Sequence, residues 1–193
     1  MTDHLASLQV KVERLQTSGA LEALAARWFE DEGEEEAEDP DGIWDRDHLV
    51  LADPAEPVGD WPGGLADWFR LAGSATFGVV DVDAEAQVRP VRPVDSLGEP
   101  VDDRRWLRIG SVGGEDLLIM DAESGEVAVY FNLYFKYGWE SPLLLRRPGV
   151  LAFLDTVAIG PDYRLVRGPV VRQRDPWWDA DPWFRYLAET GAA

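Results

Sequence analysis

Residues 106–131 constrain the fold of this chain more than any other stretch, because their pattern specifies three short strands joined by tight turns. Bulky residues at 106–109 give way to a Gly-rich stretch, 110–114, which we expect to end the first strand. The continuous apolar run 117–120 is typical of a strand covered on both faces. Residues 126–131 alternate between two faces, as strands do. Turns this short join only antiparallel neighbours, so the stretch predicts an antiparallel meander.

Apolar residues at three- and four-residue spacing predict helices before and after the meander in the sequence. Residues 3–29 fit two helices with a break near Gly19. In residues 61–73, Pro62 suits the first turn of a helix, and residues 148–159 form a second strong helical pattern.

Three further segments, 48–51, 76–82 and 87–94, have the composition of strands. Pro90 and Pro93 lack a backbone donor, which places the last of these strands at a sheet edge. Together the elements predict an α+β fold, in which helices flank an antiparallel β-sheet.

The chain carries 18 basic and 37 acidic residues, a formal net charge of −19. This charge argues against nucleic acid or an anionic membrane as a direct partner, and it is compatible with a basic protein partner. Residues 30–47 hold eleven acids and one base and have little to bury, so we expect a solvated loop. The acids do not have the spacing of a calcium-binding loop. A solubilising loop and a docking surface for a basic partner both remain open.

Few residues could carry catalysis or bind a metal. The two histidines are His4, near an end that we expect to fray, and His48, which we interpret as a surface residue. There is no cysteine, and no nucleophile-elbow, phosphate-loop or zinc-ligand spacing occurs. With 37 acids, some pair lies at the separation that glycoside hydrolysis needs, so abundance alone indicates nothing. We therefore predict no catalytic residue, no metal and no cofactor.

Nine tryptophans are spread along the chain. Three lie at positions typical of a core: Trp61, Trp68 and Trp106. Four others look free to contact a ligand, although packing is favoured for them: Trp139, Trp177, Trp178 and Trp183. Residues 175–187 form a Trp-rich amphipathic piece that either folds back on the body of the protein or presents its rings to a partner.

Core and turn residues follow one another in a recognisable order: Trp61-Pro-Gly-Gly-Leu, Gly73, Phe77-Gly78, Trp106-Leu-Arg-Ile-Gly110, Gly114-Glu-Asp-Leu-Leu-Ile-Met-Asp121 and Gly125-Glu-Val127. This order, with the helix at 148–159, resembles the SUKH superfamily over residues 61–154. The two glycines after Pro62 depart from the family pattern, which more often has a polar residue there. The resemblance implies an α+β domain without enzymatic activity that neutralises a bacterial toxin by binding it. It transfers no functional residue, because the matching positions are structural.

These observations divide the chain into N-terminal helices (1–30), an acidic loop (31–47), a SUKH-like core (48–160) and a Trp-rich extension that packs on the core (161–193). The start of the chain lacks the pattern of a signal peptide, and no apolar run approaches bilayer length. The lack of cysteine also fits a reducing compartment. We therefore expect a cytoplasmic protein that does not bind membranes.

The predicted function is that of an immunity protein that contacts a toxin, possibly a basic nuclease. Five acids would steer the encounter: Glu34, Glu35, Glu36, Asp39 and Asp41. Three aromatic residues would anchor the contact: Tyr134, Tyr137 and Trp139. The alternatives are a regulatory or scaffolding module for an endogenous protein, and a carbohydrate-binding or glycoside-active protein.

Overall fold

A computed structural model describes residues 3–20, 24, 48–168 and 176–192 of the chain. Within these residues, eight strands form one antiparallel sheet in the order β1-β2-β3-β5-β6-β7-β8, and β4 pairs with β5 beside that path. The strands are β1 (Leu49–Leu51), β2 (Ala75–Phe77), β3 (Val80–Val82), β4 (Arg89–Val91), β5 (Trp106–Val112), β6 (Asp116–Asp121), β7 (Val127–Tyr130) and β8 (Leu143–Arg147). The α+β prediction is confirmed.

β5, β6 and β7 form an antiparallel meander, as their pattern predicted, and the meander lies between β3 and β8 in the sheet. The expected end of the first strand at Gly110 was wrong. β5 continues to Val112, with an irregularity between Arg108 and Gly110. Gly110 lies inside the strand, and it has to be glycine because a Cβ there would overlap the carbonyl oxygen of Asp81 on β3. Close contact with the neighbouring strand, and not a turn, requires this glycine.

The single strand predicted at 76–82 is two strands joined by a tight turn. Thr76 of β2 lies opposite Asp81 of β3, and Gly78 takes a φ of 59° between them. A side chain at Gly78 would also overlap the hydroxyl of Tyr163. The left-handed conformation and the contact together favour glycine, so the chain reverses where the apolar pattern alone indicated continuity.

β4 is shorter than the predicted strand 87–94, and among the described strands it pairs with β5 alone. Its residues Arg89 and Pro90 are exposed. Pro90 therefore lies on an edge strand, where a missing donor is tolerated, and the predicted edge position is confirmed.

The helices are α1 (His4–Thr17), α2 (Leu65–Leu71), α3 (Val150–Phe153), α4 (Trp177–Ala180) and α5 (Pro182–Thr190). α3 continues as one π-helical turn, Leu154–Ala158. Pro62 does not open α2, since a turn at Gly63 and Gly64 comes between them. Of the second N-terminal helix, Ala20 and Leu24 are described, and both are helical and buried. No described helix has the length and apolar character needed to cross a membrane.

The two faces of the sheet are covered differently. On one face, side chains such as Val129 of β7 pack with buried residues of the helices, among them Leu8, Trp68 and Phe153. The other face carries a smaller cluster formed by Trp106, Ile119, Ala128, Tyr130 and Leu143. The hydroxyl of Tyr130 donates to the carbonyl of Val94, which holds segment 92–105 over this second cluster. The helices therefore lie on one side of the sheet.

Candidate functional site

The connection between β7 and β8 forms the most exposed aromatic structure in the described chain. A short 3-10 helix, Tyr134–Tyr137, lies at its tip and ends at Gly138. At its base, the backbone N–H of Phe131 donates to the carbonyl of Pro142 at 2.8 Å. Trp139 closes the turn by donating its backbone N–H to the carbonyl of Tyr134. The connection is therefore held by its own hydrogen bonds.

Three large apolar side chains on this connection are exposed: Leu133 at 37%, Phe135 at 49% and Tyr137 at 67%. Leu97, at 85% exposed, follows Ser96, whose backbone N–H donates to the hydroxyl of Tyr134. That hydrogen bond places the 95–99 turn beside the 3-10 helix. We call these four side chains the aromatic surface. Exposed apolar side chains that are grouped together can mark an interaction site.

Buried rings support the exposed ones. Phe135 meets Tyr134 edge to face, with ring centroids 5.9 Å apart. Tyr137 stacks on Trp139 at 4.8 Å, and Trp139 meets Phe131 edge to face at 5.5 Å. The exposed rings consequently have fixed neighbours, so less side-chain freedom is lost when a partner covers them.

The three predicted anchors differ in how far their side chains are exposed. Tyr137 is exposed and Trp139 is half-buried behind it. Tyr134 is only 8% exposed, so it cannot offer its ring to a partner and is a support of the surface. The five predicted steering acids lie outside the described residues: Glu34, Glu35, Glu36, Asp39 and Asp41.

Phe135 and Leu97 belong to the surface although the sequence interpretation did not select them. Phe135 lies between two predicted anchors, and only the 3-10 geometry shows that it is exposed while Tyr134 is buried. Leu97 is distant in sequence. The sequence showed only a lone leucine in a polar turn. The hydrogen bond from Ser96 to Tyr134 shows that this turn lies beside the 3-10 helix.

Asp116, at the start of β6, holds the base of the β7–β8 connection. Its carboxylate accepts the backbone N–H of Asn132 and lies in the fields of Glu115 and Arg167. Burial, which disfavours the charged form, raises the pKa of Asp116 to about 6 despite the Asn132 hydrogen bond and the Arg167 charge. The guanidinium of Arg167 in turn stacks on Trp177, 4.9 Å from its ring centre.

A second polar cluster lies deep in the protein, around Tyr163. Its hydroxyl accepts the backbone N–H of Val79 at 2.8 Å and donates to Asp181 at 2.9 Å. Asp181 also caps α5 by accepting the backbone N–H of Phe184. Burial, together with the Asp181 charge, holds the pKa of Tyr163 well above its usual range. The cluster joins the C-terminal helix to the turn between β2 and β3.

The predicted surface position of His48 was wrong. His48 is 7% exposed. Burial raises the pKa of nearby Asp181, although hydrogen bonds from Phe184 and Tyr163 and the field of His48 oppose the shift. Tyr163 is 0% and Asp181 3% exposed, so all three members of this cluster lie inside the protein. Their burial indicates a structural role, because a substrate would have to reach them through the packed core.

His4 is also held in place, which corrects the expectation that it frays. Its Nδ1 lies 2.8 Å from Asp155 of the π-helical turn. The hydroxyl of Ser7 donates to the same carboxylate, and Lys11 contacts it while donating to the carbonyl of Ile159. Asp155 thus fixes one face of α1 against the body of the protein.

The tryptophans in the described residues are all at least partly buried. Trp68, Trp106 and Trp183 are each no more than 2% exposed, which confirms the core prediction for the first two and the packing favoured for Trp183. The Trp183 indole donates to the carbonyl of Ala158 at 2.8 Å. Trp177 and Trp178 are half-buried and contact each other edge to face.

Within the described residues, no group of three or more histidines and carboxylates has a geometry that could hold a metal ion. Comparison of the chain with protein-family models, curated proteins and solved structures finds no match. The resemblance to the SUKH superfamily therefore depends on the motif residues alone, and the aromatic surface is the feature from which function can be argued.

Proposed function

We propose that this protein is a non-enzymatic binding protein of the immunity type, which neutralises a bacterial toxin by covering part of its surface. The observation that carries the proposal is the aromatic surface, where Phe135 and Tyr137 are exposed on a connection held by its own hydrogen bonds. Aromatic side chains of this kind supply a large share of the affinity in protein interfaces.

The supports of the aromatic surface favour binding over chemistry. Tyr134 is buried, and Trp139 stacks on the inner side of Tyr137, so the exposed rings need little reorganisation before contact. The polar clusters at Tyr163 and Asp155 are occupied by contacts that join elements of the fold. The side chains of both clusters therefore have structural roles in the proposed function.

The acidic character of the chain favours a basic partner. A net charge of −19 attracts cationic surfaces over about a Debye length and repels nucleic acid. Attraction of this kind raises association rates more than it raises affinity. In the proposed mechanism, acids including Glu34 and Asp39 speed the encounter, and the aromatic surface holds the complex together.

The toxin as the class of partner comes from the resemblance to the SUKH superfamily. It can be tested by producing the chain in cells together with toxin domains encoded near its own gene. We expect growth to recover with one such toxin, and the purified pair to form a stable complex in calorimetry. If every neighbouring product kills equally well with and without the chain, the immunity function is wrong.

The same surface would serve a scaffolding module for an endogenous protein. In that case the complex forms with a non-toxic host protein, and the co-production experiment shows no rescue. A carbohydrate-binding function predicts instead that the intrinsic tryptophan fluorescence changes when glycans are added. The half-buried Trp139 is the ring that would report it.

A further inference from the structure

We infer that the aromatic surface recognises a cationic segment of the partner that carries an apolar stripe, and that it rejects acidic segments and a second copy of this chain. The inference rests on the proposed function and names the chemistry of the partner at the same site. It follows from the distribution of apolar side chains and charges around the 3-10 helix.

The apolar part of the surface is divided between two segments. Phe135 and Tyr137 lie on the β7–β8 connection, and Leu97 lies on the 95–99 turn. The hydrogen bond from Ser96 to Tyr134 holds the two segments side by side. A partner that covers all of these side chains must offer several apolar groups in a row, which a stripe of apolar residues on one segment provides.

Exposed acidic side chains lie near these apolar groups along the chain. Glu99, Glu115 and Glu140 are exposed, and each is close in sequence to a residue of the surface or of its base. Lys136 is the one basic residue in the β7–β8 connection. A segment with lysines or arginines beside its apolar stripe would therefore meet opposite charges at the rim, whereas an acidic segment would meet like charges.

The same charges disfavour pairing with a second copy. Two chains that met through the aromatic surface would each contribute exposed acids near the contact, Glu99 and Glu140 among them, and each chain carries a net charge of −19. Like charges placed across an interface are strongly unfavourable. The exposed apolar group can thus remain accessible in solution and still select a cationic partner.

The inference can be tested with two fluorescent helical peptides that share one face of leucine and tryptophan. In one peptide the other positions are lysine, and in its matched counterpart they are glutamate. We expect the full chain to bind the lysine peptide at least about tenfold more tightly than the glutamate peptide in fluorescence anisotropy. The double substitution Phe135→Ala with Tyr137→Ala should weaken binding of the lysine peptide by at least about tenfold.

Val58→Ala supplies the matched control, because Val58 is 96% exposed and lies on a different segment. It should leave the affinity for the lysine peptide within about twofold. If the double variant loses its fold, the single variant Phe135→Lys replaces it, and it should also weaken binding of the lysine peptide, because it removes an exposed ring and adds a positive charge beside the bound lysines.

Two results would overturn the inference. One is unchanged affinity of the lysine peptide for the folded aromatic variants, which would place the contact on acidic residues elsewhere. The other is equal or absent binding of both peptides by the wild-type chain. Protection of cells from a toxin despite either result would leave the proposed function standing, whereas loss of protection as well would remove both.

Discussion

Asp116 helps to position the aromatic surface, and its protonation state can be measured by titration. It accepts the backbone N–H of Asn132, the residue before the first exposed side chain of the surface. Its carboxylate is partly buried and is influenced by the charges of Glu115 and Arg167. The ionised form is therefore held at the base of the surface against the preference of its surroundings.

Asp116→Asn should stabilise the protein at neutral pH and have little effect under acidic conditions. The pKa of Asp116 is raised from 3.8 to about 6 in the folded protein, so folding favours the protonated form. The contribution of this group to stability is least favourable above pH 6 and improves as the pH falls from about 6 toward 3.8. Because the side chain keeps some contact with solvent, we expect the melting temperature to rise by about 2–4 °C at pH 7.5, which corresponds to ~1 kcal/mol.

The measurement is a thermal melt of both proteins over a pH series that extends from below 3.8 to above 6, so that it includes both pKa values. The difference in melting temperature should shrink as the pH falls from about 6 and vanish only near 3.8, where Asp116 becomes protonated in the unfolded as well as in the folded protein. A difference that stays constant across this range would show that Asp116 is not the titrating group.

At the scale of elements, the contact between α1 and the π-helical turn depends on one carboxylate. Asp155 receives hydrogen bonds from His4 and Ser7 and forms an ion pair with Lys11 at 2.7 Å. π-Helical turns are rare, and here the turn brings Asp155 to the face of α1. α1 is therefore attached by polar contacts in addition to its buried residues, among them Leu8 and Val12.

Asp155→Asn should loosen α1 and reduce the free energy of unfolding by about 1–3 kcal/mol, since a buried charged acceptor is replaced by a neutral one. Burial raises the pKa of Asp155, but hydrogen bonds from Lys11, His4 and Ser7 outweigh it and leave the pKa below its usual value of 3.8. The stabilisation is thus present above that value and is lost as the pH falls through the lowered pKa.

Urea unfolding at pH 7 and hydrogen exchange of residues 4–17 give the readouts. Asp103→Asn is the control, because Asp103 is exposed. Unchanged exchange in α1 of the Asp155 variant would contradict the assignment.

The second face of the sheet gives a prediction for the core. Ile119 of β6 is fully buried between Trp106, Ala128 and neighbouring residues of the smaller cluster. Ile119→Ala should lower the free energy of unfolding by about 2–5 kcal/mol through the cavity it leaves. Val58→Ala, at a 96% exposed position, should change it by less than about 0.5 kcal/mol. A small effect of Ile119→Ala in denaturant unfolding would mean that this cluster is not a core.

Local patterns in the sequence predicted the elements with strong periodicity and missed those set by contacts between distant residues. The meander of β5, β6 and β7 was predictable because its alternation and turns are local. The reversal at Gly78 was not, because it depends on Tyr163, which is far along the chain. The local sequence likewise predicts a turn at Gly110, because its close contact with Asp81 of β3 is not visible in the local pattern.

The same limit applies to the candidate site. Tyr137 was predictable as an aromatic residue in a polar connection, and it is 67% exposed. The sequence did not predict that Tyr134 is buried while Phe135 is exposed. The orientation of the 3-10 helix decides which of these neighbouring rings faces the body of the protein. The burial of His48 was hidden too, since its neighbour Asp181 lies on the C-terminal segment.

At the scale of the whole molecule, charge should govern the rate at which a partner arrives. Neutralising Glu34, Glu35, Glu36, Asp39 and Asp41 as amides should slow association with a basic partner and flatten its dependence on salt, while dissociation stays close to wild type. Stopped-flow kinetics at several salt concentrations measures both rates.

A matched variant carries five amides at exposed acids distributed elsewhere: Asp53, Glu56, Asp60, Asp103 and Glu123. It has the same net charge as the first variant, so it separates a local effect from a general one. If the two variants associate at the same rate, the net charge of the molecule steers the encounter and the proposed role of the five acids is wrong.

Hydrogen exchange of the complex with the neutralised toxin tests most directly whether the aromatic surface binds the partner. We expect toxin binding to slow exchange at residues 133–139 and 96–98 and to leave the region of Val58 unchanged. Protection confined to other parts of the chain, with residues 133–139 exchanging as in the free protein, would contradict a toxin contact through Phe135 and Tyr137.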